Sequence, residues 1–115
     1  MNHGLPAAAV EKIQGVFSRH PRVAKAVLYG SRAKGNYRKG SDIDLTLHGE
    51  QLDFREMVLI ENELDDLLLP YMIDLSVFEK LDHAGLREHI ERVGQVFYER
   101  QEMAPPVKRT TDERG

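Results

Sequence analysis

The sequence predicts an α/β domain built on a small mixed sheet with helices packed on one face, in the order α-β-β-α-β-α. Three apolar segments are typical of strands, at residues 23–29, 42–48 and 72–78. Around them, apolar residues recur every three or four positions, as on the buried side of an amphipathic helix. A chain of 115 residues has room for one such domain, and we assign residues 1–102 to it.

The first helix and strand are predicted from the N-terminal third of the chain. The helix opens at Leu5-Pro6, because proline is tolerated in a first helical turn, and it ends before Pro21. Its apolar positions follow helical spacing: Val10, Ile13, Val16 and Phe17. The strand 23–29 closes at Gly30, and residues 31–40 form a glycine-punctuated loop with one helical turn at its start.

Strict alternation defines the second strand. One side carries apolar residues, and the other carries Asp42, Asp44, Thr46 and His48. Asp53 with Glu56 resembles a capping box that starts the next helix. Pro70 ends that helix, and its inward positions are Met57, Ile60, Leu64, Leu67 and Leu68.

The third strand alternates again, with Asp74 and Ser76 on its polar side. Asp82 is expected to cap a last helix that ends at Gly94 and turns Leu86, Ile90 and Val93 inward. Residues 96–98 add a short edge strand. The tail from 103 to 115, with two prolines and mixed charges, is expected to be disordered.

The charges are distributed unevenly along the chain. Residues 19–39 carry seven Lys and Arg with no acid, whereas residues 41–79 carry eleven Asp and Glu with one Arg. This split suggests a site where a basic loop meets an acidic cluster. Two solvated faces of opposite charge are the alternative. Neither interpretation describes a surface that coats nucleic acid, so we expect no direct nucleic-acid binding.

The composition also excludes several protein classes. The chain has no cysteine, so it has neither a disulfide framework nor a thiolate metal site. No apolar run approaches the roughly 18–20 residues of a transmembrane helix, so no membrane association is expected. The N-terminus lacks the basic and apolar regions of a signal peptide. We therefore expect a cytoplasmic protein.

The polar side of the predicted sheet carries a group of carboxylates. Asp42 and Asp44 point to the same side of one strand, because side chains alternate, and Asp74 can join them if its strand is a neighbour. Three close carboxylates repel one another unless a cation offsets their charge. Mg²⁺ suits such oxygen ligands, and a pair of ions about 3.5–4 Å apart can clamp a phosphoryl transfer.

The turn at Gly30-Ser31 supplies the second half of the predicted site. A strand that ends in glycine and leads into a helical turn exposes backbone N–H groups, which bind anions. Basic residues close by can neutralise a triphosphate or the pyrophosphate leaving group: Arg32, Lys34, Arg38 or Lys39. Tyr37, in the same loop, either stacks on a base or faces solvent. The combined interpretation is a site for a metal-bound nucleoside triphosphate.

These residues carry a family resemblance. Gly30-Ser31, followed by Asp42-Ile43-Asp44 and by Asp74 on a later strand, resembles the signature of the polymerase-β-like nucleotidyltransferase superfamily. The segment GSRAKGNYRKGSDIDL and the chain length resemble its minimal nucleotidyltransferases, the MntA-like antitoxins that pair with HEPN-domain ribonuclease toxins. The resemblance covers residues 6–100. Lys34 stands where Arg is also common in this family, and Asn36 stands where an acid is frequent. Neither difference affects the metal ligands.

The resemblance implies an ATP-dependent activity with two Mg²⁺ ions. Gly30 and Ser31 would grip the nucleotide phosphates, Asp42 and Asp44 would bind both metals, and Asp74 would bind the catalytic one. Asp74 would also lie where it helps deprotonate an acceptor hydroxyl. The implied reaction is transfer of AMP from ATP to a tyrosine of the partner HEPN toxin, which makes the protein an antitoxin.

Two other functions stay open at this point. The protein could neutralise a toxin by binding and occluding it, although a scaffold has no need of three clustered acids. It could also modify a small molecule, which we favour least because the short chain leaves little sequence for an acceptor-binding domain. The sequence fixes neither the nucleotide nor the acceptor.

Overall fold

A computed structural model describes residues 4–38 and 40–100. The helices are α1 (Ala7–Ser18), α2 (Ser31–Lys34), α3 (Phe54–Asp65) and α4 (Ala84–Val93), and the strands are β1 (Lys25–Tyr29), β2 (Ile43–His48), β3 (Ile73–Val77) and β4 (Gln95–Glu99); a 3₁₀ turn covers Phe78–Lys80. The predicted order is confirmed, with α2 as the helical turn of the glycine-punctuated loop. The predicted tail and the boundary at residue 102 lie outside the described residues.

The four described strands form one mixed sheet in the order β3-β2-β1-β4. β1 pairs antiparallel with β2 on one side and with β4 on the other. β2 and β3 pair in parallel, which requires a crossover connection, and α3 provides it. The predicted mixed sheet is therefore confirmed, and the strand that carries Asp74 lies next to the strand that carries Asp44.

One face of the sheet holds the main core. Ile43, Leu45 and Leu47 of β2 are fully buried there, as the alternation predicts. They belong to one cluster with apolar residues of α1 and α3, among them Phe17 and Ile60. Burying this apolar side removes it from water and leaves the alternate residues of β2 and β3 on the opposite face. The core thus dictates which face carries the acidic side chains.

Helix α4 departs from the expected one-sided helical layer. Its Ile90 packs in a separate buried cluster with Val27 and Phe78. Val27 pairs with Thr46 in the β1–β2 register, so it projects from the face that also bears the polar residues of β2. Gly94 allows this approach, because a Cβ atom there would lie 2.6 Å from Val27 Cγ1. α4 therefore covers part of the face that carries the site.

Helix α3 begins as predicted but ends differently. Asp53 caps it, since the carboxylate accepts a 2.8 Å hydrogen bond from the Glu56 N–H. The Glu56 side chain does not complete a capping box, because it turns to His20 instead. The spacing predicts an inward Leu68, but the helix stops at Asp65 and Leu68 is 88% exposed with φ +56°.

The cap of α4 also differs from the prediction. His83, and not Asp82, occupies the N-cap position, and its Nδ1 accepts a 3.0 Å hydrogen bond from the Leu86 N–H. The predicted end at Gly94 is confirmed. Across the described residues, none of the helices is both long enough and apolar enough to cross a lipid bilayer.

Part of the basic segment is used in a junction between α1 and α3. His20 is 8% exposed and places Nδ1 3.0 Å from Glu56 Oε2 and Nε2 3.1 Å from Glu63 Oε2. Arg19 approaches Glu63 at 3.2 Å, and Arg22 approaches Glu56 at 3.6 Å. These contacts hold the α1–β1 connection against α3, so part of the charge asymmetry of the sequence has a structural cause.

Candidate active site

Asp44 and Asp74 are paired across the parallel strands β2 and β3. The register aligns Ile43 with Ile73, Asp44 with Asp74, and Leu45 with Leu75. Aligned residues of adjacent parallel strands project from the same face, so both carboxylates lie on the face opposite the main core. The predicted carboxylate group requires these two strands to be neighbours, and they are.

Asp42 completes the acidic group from just before β2. Its side chain is exposed, as is that of Asp74, whereas Asp44 is half-buried. Burial raises the pKa of Asp44, and the nearby charges of Asp74 and Asp42 raise it further. Asp44 therefore lies near enough to both Asp74 and Asp42 for their charges to act on it.

The donors in this group suit a hard divalent cation, although they are not gathered around one point. Within residues 4–38 and 40–100, no set of three or more Asp, Glu or His side chains converges as metal ligands do. Asp42, Asp44 and Asp74 are nevertheless all carboxylates. Their oxygen chemistry, and the adjacency of Asp44 and Asp74, fit Mg²⁺. Metal binding by Asp42, Asp44 and Asp74 stays a prediction.

Gly30 joins the predicted phosphate turn to the acidic group. It has φ +77° and ψ −154°, a conformation that essentially only glycine adopts. A Cβ atom at this position would overlap Oδ2 of Asp44. Ser31 then begins α2, and its carbonyl accepts a 2.9 Å hydrogen bond from the Gly35 N–H. The first turn of a helix directs backbone N–H groups outward, and in α2 that turn directly follows Gly30, beside Asp44.

The two basic residues of α2 have different environments. Lys34 is exposed. Arg32 is 2% exposed and donates from Nε and Nη2 to the Ser41 carbonyl, at 3.1 and 2.9 Å. Its guanidinium carbon also lies 5.1 Å from the ring centroids of Tyr37 and Tyr71. The contacts of Arg32 are therefore with the protein, and phosphate binding by either residue stays a prediction.

Tyr29 is a polar residue of this face that the sequence pattern alone did not single out. Its side chain is within hydrogen-bonding reach of Ser76, and burial raises its pKa, as do the charges of Asp74 and Asp44. Ser76 in turn donates a 2.9 Å hydrogen bond to Thr46 Oγ1. The alternation of side chains along β1 could have identified it, because Tyr29 lies on the same side of β1 as Val27 and pairs with Asp44. Tyr29 therefore lies on the same face of the sheet as Asp44 and Asp74, close to both carboxylates.

Comparison with known families gives this site a context. The family model described as "Polymerase beta, Nucleotidyltransferase" matches residues 11–103. The match covers most of the chain and includes Gly30, Asp42, Asp44 and Asp74. The chain therefore belongs to this nucleotidyltransferase family, as the resemblance of its motif indicated. A search of curated proteins finds no match.

Solved structures support the same fold. A chain of a toxin–antitoxin complex crystallised with AMP-PNP is 21% identical with a TM-score of 0.65, over 80% of this chain and 74% of that one. A chain of the MntA–HepT toxin–antitoxin structure is 18% identical with a TM-score of 0.62, over 83% of this chain and 74% of that one. A chain of the tri-AMPylated Shewanella oneidensis HEPN toxin in complex with MNT antitoxin is 18% identical with a TM-score of 0.60, over 81% of this chain and 71% of that one. At these identities the likeness establishes the fold.

Proposed function

We propose that the protein is a Mg²⁺-dependent nucleotidyltransferase that transfers AMP from ATP to a hydroxyl, specifically a tyrosine hydroxyl, of a partner HEPN-type ribonuclease toxin. In this way it acts as the antitoxin. One observation carries the proposal: the Gly30 turn packs directly against Asp44, which is paired with Asp74 on the neighbouring strand. The phosphate-binding turn and the carboxylates thereby form one continuous surface.

The proposed roles follow from position and chemistry. Gly30 and Ser31 hold the nucleotide phosphates with backbone and hydroxyl donors, and Lys34 adds positive charge. Asp42, Asp44 and Asp74 would hold Mg²⁺, which neutralises phosphate charge and aligns phosphate oxygens when it is bound. The sequence pattern also assigns Arg32 to the nucleotide, but the protein contacts of this residue support a different role.

In the proposed transfer, one bond to the α-phosphorus of ATP forms as another breaks. The acceptor hydroxyl oxygen forms a bond to the α-phosphorus of ATP, and the bond from that phosphorus to the bridging oxygen of the β-phosphate breaks. Pyrophosphate leaves with the electron pair. The proton of the hydroxyl passes to the carboxylate of Asp74, which is exposed and open to an incoming partner.

The identity of the partner is inferred from the structural relatives. The MntA–HepT structure and the complex of MNT antitoxin with the tri-AMPylated HEPN toxin have this fold in common with our chain. Both support an acceptor that is supplied by a second protein. We extend this class of partner to our chain.

The test is a transfer assay with ATP labelled on the α-phosphate, Mg²⁺ and a HEPN partner. Label should appear on the partner with the wild-type protein and disappear with Asp42→Asn. Glu61→Gln, which removes an equal charge from the exposed side of α3, should transfer as the wild type does. Absence of label with the wild type would refute the proposal. Toxin neutralisation that survives Asp42→Asn would instead support occlusion.

A further inference from the structure

The buried guanidinium of Arg32 connects three segments of the candidate site. Arg32 directly follows Ser31 in α2, yet its side chain is 2% exposed. It reaches the Ser41 carbonyl, and its guanidinium lies between Tyr37 and Tyr71, at 5.1 Å from each ring centroid. A buried arginine is costly unless hydrogen bonds and aromatic faces compensate for the water that it gives up. These contacts provide that compensation within the protein.

The contact with Ser41 fixes the approach to the acidic strand. Arg32 donates from Nε and Nη2 to one carbonyl oxygen, at 3.1 and 2.9 Å. Ser41 directly precedes Asp42, and its own Oγ accepts a 2.7 Å hydrogen bond from the Arg38 N–H. The arginine therefore sets the distance between the turn at Ser31 and the backbone that carries Asp42.

The contact with Tyr71 extends this connection to the third carboxylate. Tyr71 lies just before β3 in the chain, and the carbonyl of the next residue, Met72, accepts a 2.8 Å hydrogen bond from the Ile43 N–H. A guanidinium that packs on Tyr71 thus holds the entry of β3 beside the entry of β2. Asp42 and Asp74 lie at these two entries.

We propose that Arg32 is a positioning residue that holds the phosphate turn, Asp42 and Asp74 in their relative places, and that it is not a ligand of the nucleotide. This inference rests on the proposed function for its catalytic consequence. The contacts of Arg32 require the planar fork of arginine, because lysine carries all its N–H donors on a single nitrogen and lacks the flat surface that packs on tyrosine. Arg32→Lys keeps the charge and removes the geometry, so it separates the two roles.

The first measurement needs no substrate. Amide hydrogen exchange of the wild type and Arg32→Lys is compared in the segments 40–44 and 71–75, with the amides of β1 as the internal reference. We expect exchange in both segments to rise about tenfold in Arg32→Lys while β1 is unchanged, because removing a local interaction without global unfolding opens only the segments that it held. Unchanged exchange in both segments would overturn the proposal.

The second measurement divides binding from turnover. We expect Arg32→Lys to lower kcat for AMP transfer about tenfold or more, while KM for ATP changes less than about threefold. Binding of Mn²⁺, used as a probe in place of Mg²⁺, should also weaken. Lys34→Ala is the contrast, since the loss of a phosphate ligand should mainly raise KM for ATP. If Arg32→Lys transfers at the wild-type rate, or raises KM alone, charge suffices and the positioning role is wrong.

A second pair of variants protects the test against a folding defect. Tyr71→Leu removes the ring that packs on Arg32, whereas Tyr71→Phe keeps it. Tyr71→Leu should reproduce the local exchange and the fall in kcat, and Tyr71→Phe should restore both; equal behaviour of the two would contradict the proposal. If Arg32→Lys raises the local exchange as expected but the wild type transfers no AMP to any HEPN partner, the proposed function fails and the structural role of Arg32 stands.

Discussion

Asp44 and Asp74 face each other across the parallel ladder of β2 and β3, on the face of the sheet that the main core leaves uncovered. They belong to segments separated by a whole helix, so their adjacency is a product of the fold. Both are acids, and the pKa of the half-buried Asp44 is raised first by burial and then by the charge of Asp74. The consequences for catalysis and for stability can be tested separately.

Replacing Asp74 should affect turnover more than nucleotide binding. We expect Asp74→Asn to lower kcat for AMP transfer by about 10²–10⁴-fold, because the amide cannot accept the proton of the acceptor hydroxyl. Binding of ATP by the Gly30 turn should persist. Single-turnover transfer and equilibrium ATP titration measure the two quantities. A variant that loses ATP affinity but keeps kcat would place Asp74 in substrate binding instead.

Neutralising Asp44 should stabilise the protein while it abolishes transfer. Because the pKa of Asp44 is raised in the folded state, stability falls as pH rises from the ordinary carboxyl pKa through the raised one, and the penalty is present once Asp44 is ionised. Asp44→Asn should therefore raise Tm at pH 7 by roughly 2–4 °C, a modest value for a partly exposed site.

Two conditions sharpen the Asp44 test. The gain in Tm should vanish at acidic pH, below both pKa values, because the wild type is then protonated as well. Mg²⁺ should raise the Tm of the wild type more than that of Asp44→Asn, since a ligand of the folded state stabilises it by mass action. A gain in Tm that is the same at every pH would mean that the burial and repulsion of the ionised carboxylate are not its source.

A methyl group at Gly30 should disable the site, whereas the same change at Gly35 should only strain the backbone. Both glycines have positive φ, +77° and +87°, but a Cβ at Gly30 overlaps Asp44 Oδ2 and one at Gly35 meets nothing within 4 Å. Gly35→Ala should cost about 1–2 kcal/mol in stability and keep transfer. Gly30→Ala should cost about 3 kcal/mol and lose transfer.

Measurements for this pair are made below the Tm of the weaker variant. Thermal unfolding gives the stability, and the α-phosphate label gives the transfer. Equal loss of transfer in the two alanine variants would mean that backbone strain, and not the displaced carboxylate, accounts for the defect.

The His20 junction should matter for stability and not for chemistry. His20→Ala leaves Glu56 and Glu63 without the ring between them, and Glu56 Oε1 is already buried with no hydrogen-bond partner among the described residues. We expect a loss of about 2–4 kcal/mol in urea unfolding. Arg19→Ala is the control, because this arginine is 60% exposed and its loss should cost less than about 1 kcal/mol. A larger loss from Arg19→Ala would contradict the assignment.

Local patterns in the sequence predicted most of the framework. Alternation placed Ile43, Leu45 and Leu47 in the core, and it placed Asp44 and Asp74 on the opposite side of their strands. Such patterns are reliable because each depends on neighbours within a single strand. The Gly30 turn was equally readable, since the break after a strand and the following helical turn are local as well.

Features that depend on distant contacts were predicted poorly. The apolar stripe of α4 was visible, but the face on which it packs depends on Val27 of β1. The burial of Arg32 was not predicted, because its contact with Tyr71 joins residues far apart in the chain. Tyr29 was missed because its polar neighbours come from other strands. In each case the deciding partner is remote in sequence.

The parallel pairing of β2 and β3 should make the proposed activity a late event in the assembly of the molecule. A chain that has formed only the β1–β2 hairpin already carries Gly30, Asp42 and Asp44, but it lacks the strand of Asp74 until α3 has crossed the sheet. Parallel pairing closes a long loop and is slow compared with a hairpin. Nucleotide transfer would therefore report that the chain is completely folded, and nascent or partly folded copies would be silent.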